Sequence, residues 1–257
     1  MVEKTKIADR EAARRTPAIE SRLARIAAGS PLQNRKASSD YIADALRAAI
    51  YDGQFEDGEE LNQVELARHF GVSRIPIRES LRRLQAEGLI SSIAHRRAVV
   101  IALGVDEIVE QIEMRAALEA YLVEQAAPNI PRSEFDQLYR LCDAMDRMRN
   151  YGSGWVEKNW AFHRAIYEFA DRSVAIATVE QMQLRVERYV RRAGRKDRLR
   201  TAAAEHRQIV AALDRGDVVG AAAQMRQHIL HTGLEVRRFF GSGEASATDR
   251  GDRDDAA

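Results

Sequence analysis

Residues 65–101 read ELARHFGVSRIPIRESLRRLQAEGLISSIAHRRAVVI, and the order of signals in this stretch decides the fold of the first part of the chain. In Phe70-Gly71-Val72 a glycine that can take the left-handed backbone needed to end a helix stands between two apolar residues able to bury against both flanking helices. Ser73 stands as the N-cap of the second helix. Counted from it, Pro76 falls in the first turn, where backbone donors have no intrahelical partner to lose. Ile77, Leu81 and Leu84 then give this helix a buried face, while Arg74, Arg78, Arg82 and Arg83 fall largely away from it, against Glu79 alone before Glu87. After Gly88, residues 89–93 and 98–101 form short apolar runs around Ala94-His95-Arg96-Arg97, the pattern of a two-stranded wing with a positive tip. The expected product is a winged helix-turn-helix. A guanidinium fork matches guanine O6 and N7 as well as phosphate oxygens, so the second helix is expected to enter a DNA major groove, with the wing over phosphates or in the minor groove.

Together with an amphipathic helix over residues 41–51 and the turn GQFEDGEELN at 53–62, this block resembles the DNA-binding domain of GntR-family bacterial transcription regulators. The family pattern, E-x-x-L-A-x-x-x-G-V-S-R-x-P-V-R-E-A-L-x-x-L-x-x-E-G-L-V, is met nearly position for position, with a shifted acidic residue in the early turn. Ile77 and Ser80 stand where valine and alanine are usual, and His95-Arg96-Arg97 stands where a glycine normally turns the wing. The resemblance implies that Arg74 and Arg78 read bases and phosphates of double-stranded DNA, with Ser73 and Arg82 beside them and His95 and Arg96 as wing contacts.

Composition agrees. A chain of 257 residues, 45% hydrophobic, can hold two modest cores. Net charge is only +1, which argues against a generally basic coating protein; residues 1–100 carry 17 Lys/Arg against 14 Asp/Glu, so the positive charge gathers on one helix and one wing. A single cysteine, Cys142, excludes an internal disulfide and suits a reducing cytoplasm; it shares helical spacing with Phe135, Leu138 and Met145 and reads as core. No apolar run approaches the ~20 residues of a membrane span and the opening residues show no signal core, so a cytoplasmic protein without a membrane partner is expected. The organisation expected is an arm at 1–37, a DNA-binding domain at 38–103, an all-helical domain at 104–240 and a disordered tail at 241–257, whose composition offers little to bury.

From residue 104 onward there is no convincing strand. Caps, prolines and glycines bound six helices near 106–127, 132–151, 154–171, 173–192, 197–215 and 217–240, each with an apolar stripe, which together predict a helical bundle. Three of the four histidines in this part lie on such stripes in three different helices. His163 sits in NWAFHRAIYEF one turn after Asn159, His206 shares a face with Ala202, Ile209 and Leu213, and His228 shares one with Ala221, Met225 and Thr232. Three imidazoles and one oxygen donor complete most of the shell of a divalent transition ion; hydrogen-bonded core histidines are the alternative. Glu205, beside His206, is expected to point off the inward face. His231 lies further round its helix and is the weaker ligand choice.

The segments FHRAIYEFADRS, EHRQIVAALDRGD and AAAQMRQHI resemble the signature segments of the FCD ligand-binding domain, the all-helical sensor of FadR-like GntR regulators. The resemblance implies a metal such as zinc or nickel held by His163, His206 and His228, with Asn159 in the position where the family has an aspartate. It further implies a small carboxylate effector next to that metal and a homodimer on an inverted-repeat operator, more often as a repressor. Arg115 and Glu119 in EMRAALEAYL match the family's R-x-x-x-E segment, and Arg185, Arg188 and Tyr189 are further candidates to meet the effector, arginine by its bidentate geometry. Two other classes stay open on sequence alone: a helical metal-dependent hydrolase with a DNA-binding head, and a ligand-free architectural protein. With no carboxylate placed as general base, a non-enzyme is expected.

Overall fold

The computed structural model describes residues 23–24, 26, 37–93, 97–148, 153–194 and 196–248. The chain divides into two compact units, Met1–Ala102 and Leu103–Ala257. Most of the expected arm, and the wing residues His95 and Arg96, lie outside the described residues.

In the first unit, α1 (Ala37–Tyr51), β1 (Glu60–Leu61), α2 (Gln63–Phe70), α3 (Arg74–Ala86), β2 (Ile90–Ile93) and β3 (Arg97–Val100) form three helices against a small antiparallel sheet of order β1-β3-β2. Its register sets Leu61 against Ala98 and Ser91 against Val99. The hairpin matches the expected wing, while β1 lies inside the stretch expected as turn, because two residues are too few to show a period. Asn62 caps α2, its side-chain oxygen accepting from Val64 N and Glu65 N. Gly71 ends that helix at φ 64°, ψ 30°, with Val72 N donating to Ala67 O. Ser73 occupies the N-cap of α3 with extended backbone, yet its hydroxyl makes no capping bond, unlike the expected cap. Ile42, Leu46, Ile50, Leu66, Ile77 and Leu84 form the buried centre. Polar ties fix α1 to α3, among them the Ser80 hydroxyl, 2.7 Å from both Ser39 O and Pro76 O, and Arg47, which forks onto Glu87 at 2.8 and 2.6 Å. A serine at position 80, unlike an alanine, therefore helps hold α3 in place.

The second unit contains α4 (Val105–Ala126), α5 (Phe135–Asp146), α6 (Ser153–Tyr167), α7 (Ser173–Ala193), α8 (Lys196–Asp214) and α9 (Val218–Thr248). All six expected helices are present. Helix α5 ends at Asp146 rather than near 151, and a 3-10 turn at Arg132–Glu134 replaces its expected first turn, while another at Ala127–Asn129 follows α4. Helix α9 continues to Thr248, into the segment expected to be disordered from 241. Long contact between α4 and α9 and packing of α5 on α8 surround a core that includes Ile112, Leu122, Cys142, Phe162, Val186 and Ile209. Among the described residues no helix is long and apolar enough to cross a membrane.

Candidate DNA interface and metal centre

The first unit presents a groove of about 600 Å³ between α3 and the wing, lined from α3 by Arg74, Arg78 and Arg82, from β3 by Arg97, and by Gln63 and Gln85. Arg74, Arg78 and Arg82 are exposed, and the spacing of the first two by one helical turn aims both into the same concavity. Ser73 is exposed beside them at the helix start. Arg83, on the same basic helix, turns the other way and pairs with Asp40 of α1 at 2.6 Å. Four arginines converging on one concave face, without an acidic residue among the described residues that line it, make a surface for a polyanion.

In the second unit, α6, α8 and α9 bring His163, His206 and His228 together, one nitrogen of each lying within 4.8 Å of the other two, all three buried. Hydrogen bonding decides which nitrogens face inward. His163 Nδ1 lies 3.0 Å from Glu119 Oε2 and 3.0 Å from the Tyr167 oxygen, whose own proton goes to Glu119. Both neighbours accept, so the His163 proton belongs on Nδ1 and Nε2 keeps its lone pair; that Nε2 is buried with no hydrogen-bond partner. His228 repeats the arrangement. Its Nδ1 is 2.6 Å from Glu205 Oε2, and its Nε2 faces His206 Nε2 at 3.1 Å. Arg198 Nη2 also lies 3.3 Å from that Nδ1, but the shorter, charge-assisted contact to the carboxylate fixes the proton on Nδ1.

Electrostatics disfavour the charged form of His206 and His228. Burial, then the neighbouring imidazoles and Arg198, hold His206 well below the usual histidine range; burial, then Arg198 and His163, do the same to His228. Burial alone would raise Glu119, but the Arg115 guanidinium at 2.7 Å and the bonds from His163 and Tyr167 outweigh it and hold the carboxyl down at about 2. The site thus gathers imidazole nitrogens whose far sides are held by Glu119 and Glu205, the donor set a divalent transition ion prefers. Asn159 adds to the fit: its Oδ1, one turn before His163, is buried and has no hydrogen-bond partner. Three nitrogen donors and one oxygen donor are therefore present, two of them orphaned, and the residues fit such an ion.

A cavity of about 20 Å³, room for roughly one water, lies beside His228 and is lined by Arg115, Asn159, Gln183, Arg198, Thr232 and Trp155, among others. Of the residues expected to meet an effector, only Arg115 lines it. Glu119 stands behind His163 instead. Arg185 is exposed, and Tyr189 accepts a bond from Leu103 N at 2.9 Å while its ring packs edge-on against Phe240. Arg188 is buried with its guanidinium 5.4 Å from the centre of the Tyr189 ring, outside the cavity lining. Helix α7 turns Gln183, not these three, toward the cavity.

Glu205 also departs from expectation. It binds His228 and His231 Nδ1 at 2.6 Å each and Arg198 at 2.6 Å, because position 205, one residue round from His206, faces the seam between α8 and α9. His231 is half-exposed and stays outside the trio. Arg198 and Gln183 were missed although signals existed: Arg198 continues the Ala202-His206-Ile209 stripe one turn back, and Gln183 interrupts the buried Val179-Val186-Val190 stripe.

Comparison with known proteins agrees with both halves. Residues 38–101 match the gntR family of bacterial regulatory proteins and residues 110–231 match the FCD domain. A probable D-xylose utilization operon transcriptional repressor of Paenarthrobacter nicotinovorans is 27% identical over 201 residues, which is 76% of this chain and 87% of that protein. An HTH-type transcriptional regulator of Agrobacterium vitis is 30% identical over 127 residues, 48% of this chain and 74% of that protein. The solved structure of McbR/YncC from E. coli superposes with a TM-score of 0.66 at 21% identity, covering 79% of this chain and 98% of that one. With its winged head, its helical second unit and these two family matches, the chain belongs to the GntR family of bacterial transcription regulators and carries an FCD domain.

Proposed function

We propose that this regulator is a cytoplasmic homodimeric repressor that grips an inverted-repeat operator through α3 and the wing and changes its grip when a small carboxylate enters the FCD cavity beside a metal. The observation that carries the sensing half is the buried trio itself, with Nε2 of His163 and Oδ1 of Asn159 left without partners. Leaving two such groups desolvated costs about 1–3 kcal/mol each, a cost that an ion removes. His163, His206, His228 and Asn159 would hold the ion, zinc or nickel by donor type, and its open coordination positions supply attraction for an anionic oxygen. Arg198 and Arg115 stand ready for the rest of that anion. Both guanidiniums are at present paired, with the part-buried Glu205 and the buried Glu119, and the cavity holds roughly one water, so an entering carboxylate has to displace these partners and widen the cavity, and that exchange is a route by which it alters helix packing. A gluconate operon repressor of Bacillus licheniformis, 35% identical over 105 residues, is a relative whose name concerns a sugar acid, which supports a hydroxycarboxylate as effector.

One experiment tests the reading. Protein purified without chelator or affinity tag is analysed for metal, melted with and without added zinc or nickel, and titrated with a panel of hydroxycarboxylates on DNA captured from a genomic pool. The expected result is bound metal, a melting point that rises with metal concentration by mass action, and operator release by at least one acid. His206→Ala should lose metal and release while keeping operator binding. Absence of metal together with an unchanged melting curve would return the three histidines to the status of core residues.

A further inference from the structure

Ile75 has no role in the core that would explain it. It is the second residue of α3, 58% exposed, and it lines the DNA-facing groove together with Arg74 and Arg78. The rest of the helix separates cleanly: Ile77, Leu81 and Leu84 are buried and the arginines are exposed. A large β-branched apolar side chain placed with the arginines, at the end of the helix that enters the groove, offers no hydrogen bond and no charge to a phosphate. It can gain free energy only by losing water against another apolar surface. In the floor of the major groove the one such feature presented by an unmodified base pair is the C5 methyl of thymine. Lying next to Arg74 in sequence and one turn from Arg78, Ile75 would meet a base pair adjoining those that the arginines contact.

We infer that Ile75 is a specificity-determining residue that reads the methyl group of one thymine in each operator half-site. The inference rests on α3 being the DNA-contacting helix and is independent of the metal and the effector. Removing one methyl from an apolar contact weakens binding about fourfold.

The test uses full-length protein and the DNA it selects from a random pool. Each thymine of the selected half-site is replaced in turn by uracil, which differs only in lacking the methyl, and affinity is measured for the wild type, Ile75→Ala and Ile75→Val. One position per half-site is expected at which uracil costs the wild type and Ile75→Val about fourfold and costs Ile75→Ala nothing. On thymine DNA, Ile75→Ala should itself be weaker by a similar factor, with random-sequence affinity and melting temperature unchanged. Sequence-selective binding with no methyl-sensitive position, or methyl sensitivity that survives in Ile75→Ala, overturns the assignment to Ile75. Failure to select any sequence overturns the reading of α3 as well.

Discussion

Glu119 shows how one carboxylate can serve a metal centre through a ligand, since it holds His163 rather than facing the shared centre itself. It is fully buried, and with its carboxyl held at about 2 it is ionised at any pH where the protein operates. From there it neutralises Arg115 and fixes the His163 proton on Nδ1, so that Nε2 can only be a donor of electrons to the shared centre. Glu119→Gln keeps the shape and can still accept from His163, but it removes the charge that balances Arg115. We expect metal affinity, measured by competition with a chelator, to fall about 10- to 100-fold, and the metal-free protein to lose stability on the order of 3–5 kcal/mol because a buried guanidinium is left uncompensated. Asn159→Asp should move metal affinity the other way, since a carboxylate replaces a neutral amide oxygen. If both variants bind metal like the wild type, Glu119 is only a structural partner of Arg115.

At the scale of elements, the α2–α3 turn depends on Gly71. Its φ of 64° lies in the left-handed region, and a Cβ added there would meet nothing within 4 Å, so substitution costs backbone strain alone. Gly71→Ala should destabilise by about 1–2 kcal/mol, and Gly71→Asn by less because asparagine tolerates this region; chemical denaturation of the full chain distinguishes the two, and equal costs would mean that packing rather than strain decides. This turn, the basic helix and the six bundle helices were legible because each is announced within one stretch of chain by a cap, a break or a 3.6-residue period. The histidine trio was legible for a related reason: His163, His206 and His228 are polar residues on apolar stripes, and rarity made them conspicuous. What stayed hidden depends on how helices meet. Glu205 belongs to the site only because the α8–α9 seam passes over it, and Arg185, Arg188 and Tyr189 miss the cavity because α7 turns Gln183 toward it instead. Periodicity reports a face, not the neighbour that the face will find.

For the whole molecule the question is how a head this small becomes selective. A single winged head covers on the order of 600–1,000 Å² of protein surface on DNA, and its cationic groove, with Arg74, Arg78, Arg82 and Arg97, would bind any duplex with an affinity that collapses as salt rises. Selectivity then needs a second head held at a fixed distance, and identical subunits achieve this most simply through a two-fold axis, which imposes an inverted repeat on the operator. Sedimentation of the full chain at micromolar concentration should therefore show a dimer. Binding to a two-half-site operator should exceed binding to one half-site by far more than the factor of two expected from site counting, and inserting half a helical turn between the half-sites should abolish the gain because the second groove then faces away. Arg74→Ala should cost on the order of 1–3 kcal/mol per half-site on the operator and much less on random DNA. A monomer with full affinity for a single half-site, or a gain insensitive to spacing, would contradict the two-fold arrangement and leave each head reading DNA alone.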